Sequence, residues 1–163
     1  MKRRYRREVF AERLKKVREF IPNAFIGVDV IVGFPGETED IFNDAYSFIE
    51  SQQPSFLHIF PYSERANTPA ISYNGKVKPA DIKLRLIKLS ALSDKLHRDF
   101  YEKNIGLLER VLFESTRKGG LMCGFTENYI KVETPYDKLL VGKIVNVKMI
   151  GISPDGNMDV EIL

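Results

Sequence analysis

Asp29 is the first residue whose type and place suggest chemistry. It lies between Val28 and Val30 in a β-branched run. Period-two alternation puts Gly27, Asp29, Ile31 and Gly33 on one strand face and Val28, Val30 and Val32 on the other. The valine face suits packing against helices. The other face has small residues that leave room for a ligand in a barrel interior. A buried Asp satisfied by a neighbour's hydrogen bond is the plainer alternative. His58 shares a face with Phe60 and Tyr62 on a second strand. Turned inward, it could approach Asp29, and such a pair could position a substrate or shift a proton. A structural histidine is the plainer reading there. His97 falls among charged residues and reads as solvated.

The loop Gly33-Phe34-Pro35-Gly36-Glu37-Thr38 follows the first strand and opens a helix. Such a turn can bring backbone amides to a ligand at the C-terminal end of parallel strands. It is not a P-loop, because no Gly-Lys-Ser/Thr follows, and a purely structural turn is the alternative. Arg65 falls beyond the second strand, at the same end, and could pair with a phosphate or carboxylate. Its alternative is an ordinary surface arginine. Cys123 is the only cysteine. A metal or iron–sulfur site needs several ligands, so Cys123 reads as a small buried hydrophobe.

These residues need elements to hold them. Residues 2–20 read as an amphipathic helix with Phe10, Leu14, Val17 and Ile21 at helical spacing. Residues 25–33 and 55–62 read as strands. Between them Ile41, Phe42, Ala45, Phe48 and Ile49 make a helical stripe, with Thr38 as N-cap. Strand–helix–strand implies a right-handed crossover and a parallel pair. Residues 63–78 read as a loop. A long helix follows Pro79 and ends near Asn104-Gly106. Then come short strands at 109–115, 120–125, 128–134, 141–152 and 157–163, with turns at 117–120 and 154–156. Five short strands in so few residues suggest a small antiparallel barrel. The expected domains are residues 1–105, α/β, and 106–163, all-β.

Bulk numbers set the outer limits. The chain has 163 residues, 44% hydrophobic and 29% charged, with net charge +3. That is ordinary for a globular chain with a real core. No apolar run approaches the ~20 residues needed to span a bilayer, and the first residues do not read as a secretory signal, having no apolar stretch after the basic ones. One cysteine fits a reducing compartment, and a cytoplasmic location is expected. Residues 1–20 hold nine Lys/Arg against three Glu. That basic footprint could attract a phosphate backbone, or it could be a solvated helix face.

Several stretches together resemble the methylthiotransferases of the radical S-adenosylmethionine (SAM) superfamily. Met1-Lys2-Arg3-Arg4-Tyr5 resembles their Met-x-Arg-x-Tyr element. Residues 29–38 resemble D-x-I-x-G-F-P-G-E-T, and residues 60–70 resemble F-x-Y-S-x-R-x-x-T-x-A. Residues 111–114, 124–129 and 141–142 resemble the TRAM domain of these enzymes. Residues 57–63 and 127–130 look most like the branch acting on threonylcarbamoyladenosine in tRNA. Relatives act on isopentenyladenosine or on a ribosomal protein, and a non-catalytic RNA-binding module is a further alternative.

The resemblance implies the C-terminal part of a partial (β/α) radical SAM barrel followed by a five-stranded antiparallel TRAM barrel. It implies a parent enzyme with SAM and two 4Fe-4S clusters that adds a methylthio group to adenosine C2. With one cysteine, this chain matches neither cluster motif. It is expected to be inactive alone, to hold no cofactor or metal, and to need tRNA and an upstream part of the same enzyme as partners. Carried over by position, Arg3, Ile31, Gly33, Phe60 and Tyr62 are cofactor contacts. Asp29, His58 and Arg65 are substrate contacts. Arg4, Arg6, Arg7, Lys118, Phe125, Tyr129 and Lys131 are RNA contacts, although core packing is the default for Phe125 and Tyr129. No catalytic residue is expected here.

Overall fold

The structure, a computed structural model, describes residues 6–163. Arg3 and Arg4 of the basic segment lie outside them. The chain forms two compact units, residues up to Leu96 and His97–Leu163.

The first unit runs α1 (Arg7–Phe20), β1 (Gly27–Val32), α2 (Glu39–Gln52), β2 (Phe56–Pro61) and the larger part of α3 (Pro79–Glu102). The expected parallel pair is present. β1 and β2 align Gly27 with Phe56 through Val32 with Pro61, which sets Asp29 beside His58. Thr38 caps α2 as expected, its Oγ1 accepting from the Ile41 amide at 3.3 Å. At the other end Gln53 turns left-handed, and Arg18 of α1 donates to the Gln52 and Gln53 carbonyls at 2.8 and 2.5 Å. A cation there satisfies orphan carbonyls and complements the helix dipole.

The valine face packs as anticipated. Val32, Phe42, Leu57, Leu89, Leu92 and Leu96 are buried together, with Val28, Val30 and Ile59 packed against them. Each fully buried side chain of this size is worth roughly 1.5–3 kcal/mol over exposure. Ser93 of α3 is buried and its hydroxyl bridges the Leu57 amide and carbonyl at 3.0 and 3.3 Å. The opposite strand face is open: Gly27, Asp29, Ile31, His58 and Phe60 are exposed. Among the described residues nothing covers Asp29. The α1 stripe is only half used, since Leu14 is buried while Val17 and Ile21 are exposed.

The second unit is a closed barrel of β3 (Leu108–Lys118), β4 (Leu121–Thr126), β5 (Lys131–Pro135), β6 (Ile144–Ile152) and β7 (Met158–Ile162), in the order β3-β4-β5-β7-β6. It is not wholly antiparallel: β5 and β7 run parallel. Five strands in a closed ring cannot alternate direction all the way round, so at least one pair must be parallel. Val111, Phe113, Met122, Ile130, Val132, Val147, Met149 and Met158 fill the interior with Tyr101. Gly119 and Gly120 both have positive φ and close the β3–β4 hairpin.

Three expectations fail at element edges. Residues 128–130 are a turn rather than strand, because Tyr129 is left-handed (φ 68°) and its amide donates to the Thr126 carbonyl. Residues 141–143 are a loop that follows a 3-10 turn at Lys138–Leu140, with Gly142 at φ 71°. The 63–78 loop contains a 3-10 turn at Pro69–Ser72. Two side chains also differ. Cys123 alternates with the inward Met122 and Gly124, so it is only half-buried. His97 is half-buried against Tyr101, ring centroids 4.3 Å apart.

Candidate functional site

β1 and β2 run parallel, so the loops after both strands emerge at one end. There they enclose a pocket of about 740 Å³. Its walls include Ile31 and Phe60 from the open strand face, Phe34 from the 33–37 loop, and Tyr62, Pro69 and Tyr73 from the segment after β2. The Phe34 ring meets Tyr62 edge-on at 5.1 Å and Tyr73 at 6.1 Å. Polar groups are few: Asp29, Ser63, Arg65 and Thr68. Mainly aromatic walls with a few placed polar groups suit a planar, nucleoside-like ligand.

Backbone bonds hold the two loops together. The Tyr62 amide donates to the Val32 carbonyl at 2.7 Å, and the Gly36 amide donates to Gly75 O at 2.8 Å. Lys76 pairs with Glu64 at 2.6 Å. Thr68 Oγ1 donates to the Arg65 carbonyl at 2.8 Å.

Of the residues singled out in the sequence, Asp29, Ile31, Phe60, Tyr62 and Arg65 line this pocket together. Gly33 does not. It has φ +86°, and a Cβ there would come within 2.7 Å of Ile82 on α3. Its glycine is needed for conformation and packing under the pocket. His58 stands beside Asp29 in register, but its ring lies near Gly27 and edge-on to Phe56 at 4.9 Å. No Asp–His hydrogen bond forms.

The RNA-contact candidates divide. Arg6 is exposed. Arg7 bonds Asp44 at 2.8 Å and lies over Phe48 at 5.5 Å. Lys118 is exposed at the β3–β4 hairpin, and Lys131 is half-buried. Phe125 and Tyr129 are not core aromatics. Tyr129 is 68% exposed, and its ring sits 5.5 Å from Phe125, which points out of the barrel. Register places Phe125 beside Lys131 on one side and Leu112 on the other.

The residues present do not fit an iron–sulfur cluster. A cluster takes several thiolates, and Cys123 is the single cysteine. Among the described residues no group of three or more His, Cys, Asp or Glu could hold a metal ion.

No family model matches the chain. Curated relatives do. It is 39% identical over 154 residues to a threonylcarbamoyladenosine tRNA methylthiotransferase of Bacillus subtilis, covering 92% of this chain and 34% of that one. It is 38% identical over 154 residues to a tRNA-2-methylthio-N(6)-dimethylallyladenosine synthase of Aliarcobacter butzleri, covering 94% and 35%. It is 41% identical over 107 residues to a ribosomal protein uS12 methylthiotransferase of Alkaliphilus oremlandii, covering 66% and 24%. The chain belongs to the methylthiotransferase family. It spans about a third of the length of the first two relatives.

In this chain the pocket has supports that the sequence reading passed over. Arg85 of α3 is 5% exposed; its Nη1 donates to Glu37 Oε1 at 2.7 Å and to Glu37 O at 3.0 Å. Its Nη2 meets Glu39 Oε2 at 3.3 Å, and the guanidinium lies over Phe42 at 5.2 Å. Glu37 Oε1 also accepts from the Gly33 amide at 3.1 Å. The Lys88 hydrogen bond, helped by Arg85, holds the Glu39 carboxyl below its ordinary value against some desolvation. One signal was available: Arg85 lies three residues after Ile82 and four before Leu89, on the face that α3 buries. Phe34 and Tyr73 were also missed as pocket walls, because an aromatic in a loop has no periodicity to mark it.

Proposed function

We propose that this chain supplies a nucleoside-binding wall and an RNA-contacting barrel to a radical SAM methylthiotransferase. In that reading the whole enzyme adds a methylthio group to C2 of threonylcarbamoyladenosine in tRNA. The observation that carries it is the aromatic pocket at the ends of β1 and β2, built from the segments that resemble the family's signatures. Residues 1–105 are then the C-terminal portion of the SAM-binding barrel and 106–163 the TRAM domain. Two strands alone leave open backbone edges, which supports further strands pairing there in the whole protein.

The pocket fits the adenosine part of SAM in size and lining. Ile31, Phe60 and Tyr62 would pack its base, above a loop whose turn Gly33 permits. SAM bound there supplies the adenosyl group for the reaction. Asp29 and Arg65, which line the pocket, would serve the substrate, Arg65 by pairing with a carboxylate or phosphate of the RNA. His58 would act from the same strand face. Both 4Fe-4S clusters belong to parts outside this chain. Arg3 and Arg4 complete the assignment for the cofactor carboxylate and the RNA. Arg6, Lys118, Phe125, Tyr129 and Lys131 offer charge and stacking surface to tRNA, and Arg7 would have to leave Asp44 to join them.

Identity is 39% to the one tRNA branch and 38% to the other. The choice of threonylcarbamoyladenosine therefore rests on residues 57–63 and 127–130. A tRNA substrate also supports a cytoplasmic setting, and no helix among the described residues is long and apolar enough to cross a membrane. The test is a reaction of the full-length, cluster-loaded protein with tRNA carrying either modified adenosine. Methylthiolation of the threonylcarbamoyl tRNA is expected. Reaction with only the isopentenyl form would reassign the branch, and reaction with neither would overturn the tRNA reading.

A further inference from the structure

We propose that Arg85 is a positioning residue for the pocket: through Glu37 it holds the 33–37 loop so that the Phe34 wall is preformed. The inference rests on the nucleoside reading of that pocket and adds to it the device that shapes the pocket.

Arg85 touches no pocket space itself. It reaches the pocket through a chain of short contacts. Its Nη1 holds Glu37 at both the carboxylate, 2.7 Å, and the main-chain oxygen, 3.0 Å. The same Glu37 oxygen, Oε1, accepts the Gly33 amide at 3.1 Å. Glu37 is therefore pinned between the end of β1 and α3, and the loop between Gly33 and Glu37 is closed at both ends. Phe34 is the loop's contribution to the pocket. Gly36 passes the restraint on: its amide donates to Gly75 O at 2.8 Å, and a Cβ on Gly75 would come within 3.3 Å of Gly36. Tyr73, two residues before Gly75, stands edge-on to Phe34. Both aromatic loops are therefore linked to one ion pair.

The pair is unusual in its burial. Arg85 has 5% and Glu37 14% of its side chain exposed. Nε of Arg85 is buried with no hydrogen-bond partner. Desolvating two charges and leaving a donor unmet is a poor way to gain stability, since a well-packed apolar pair is often as stable or more so. What it supplies is geometry: the planar guanidinium sets Nη1 on two oxygens of Glu37 while Nη2 faces Glu39. Lysine, a single point charge, cannot span both glutamates in that fixed plane.

The loop is read in the full 163-residue chain, and SAM, the probe, is titrated into the cluster-loaded full-length enzyme carrying the same substitutions. Arg85→Lys and Glu37→Ala are compared with Phe34→Ala, which removes the wall and leaves the clamp. Amide exchange at Gly33 and Gly36 and the Phe34 ring resonances report the loop without any ligand. SAM titration reports the pocket. Arg85→Lys and Glu37→Ala should speed exchange at both glycines, broaden the Phe34 signals and weaken SAM binding about tenfold, as loss of preorganisation does. The core around Leu57 and Leu89 should stay protected. Glu37→Gln keeps an oxygen for both donors and should recover most of the binding. The proposal is overturned if Arg85→Lys leaves Phe34 and both amides as in wild type, or if every variant loosens the whole unit alike. If Phe34→Ala leaves SAM affinity of the full-length enzyme unchanged while Arg85→Lys still frees Phe34, the positioning role stands and the nucleoside reading of the pocket falls.

Discussion

Gly33 and Gly36 share nearly the same left-handed backbone, φ +86° and +88°, yet only Gly33 is crowded, with Ile82 within 2.7 Å of a would-be Cβ. Gly36 has nothing within 4 Å. Gly36→Ala should therefore cost only the conformational penalty, about 1–2 kcal/mol. Gly33→Ala adds a clash with a packed side chain and should cost about 2–4 kcal/mol. Urea unfolding of both variants measures the difference; equal losses would mean that Ile82 moves aside freely. At this scale the sequence was readable where a residue type is tied to one demand. Alternation of types put Asp29 and Ile31 on the open face, as found. It could not show that Gly33 sits under α3, because that depends on a helix some 50 residues away. The pairing of Arg85 with Glu37 was illegible for the same reason: the two are 48 residues apart.

Elements were legible to the extent that local pattern decides them. The parallel β1–β2 pair, the Thr38 cap and five closely spaced strands follow from periodicity and turn residues. The edges at Tyr129 and Gly142 did not, since left-handed residues break a strand without breaking its apolar pattern. Closure also puts like charges together. Glu133 and Asp159 are register partners across the parallel β5–β7 pair, and desolvation, then Glu133, raises the Asp159 carboxyl above its ordinary 3.8. A carboxyl raised in the folded state favours folding while protonated and loses that advantage as pH rises through its folded value. Asp159→Asn should therefore stabilise the barrel at neutral pH, with the gain fading as pH falls through the raised folded value and gone below the ordinary 3.8. Thermal unfolding at two pH values would show it, and a gain that grew in acid would contradict the pairing. The 127–130 turn carries a second prediction. The Thr126 hydroxyl donates to Asn128 Oδ1 at 2.6 Å and accepts from the Ile130 amide at 2.8 Å, which braces the exposed Tyr129. If Tyr129 stacks on a base, Tyr129→Ala should weaken RNA binding by about 1–3 kcal/mol and leave the barrel's melting unchanged. Gel-shift titration measures this, and wild-type affinity in the variant would remove Tyr129 from the interface.

For the whole molecule the cysteine count is the governing fact. With Cys123 alone, reconstitution with iron and sulfide should leave no stable cluster chromophore, and stoichiometric iron uptake would contradict the separation of cluster and pocket. On the proposed reading, this chain brings shape and surface to the reaction: an aromatic pocket clamped from behind, and a barrel with aromatics turned outward. The most direct check is nucleoside mass spectrometry of tRNA from a host that lacks its own threonylcarbamoyladenosine methylthiotransferase. That host would express the full-length gene with this segment either intact or carrying Ile31→Asp and Phe60→Asp. The intact gene should restore the methylthio nucleoside. The pocket variant should accumulate as protein yet restore none. Full modification by the variant, or none by the intact gene, would contradict the account.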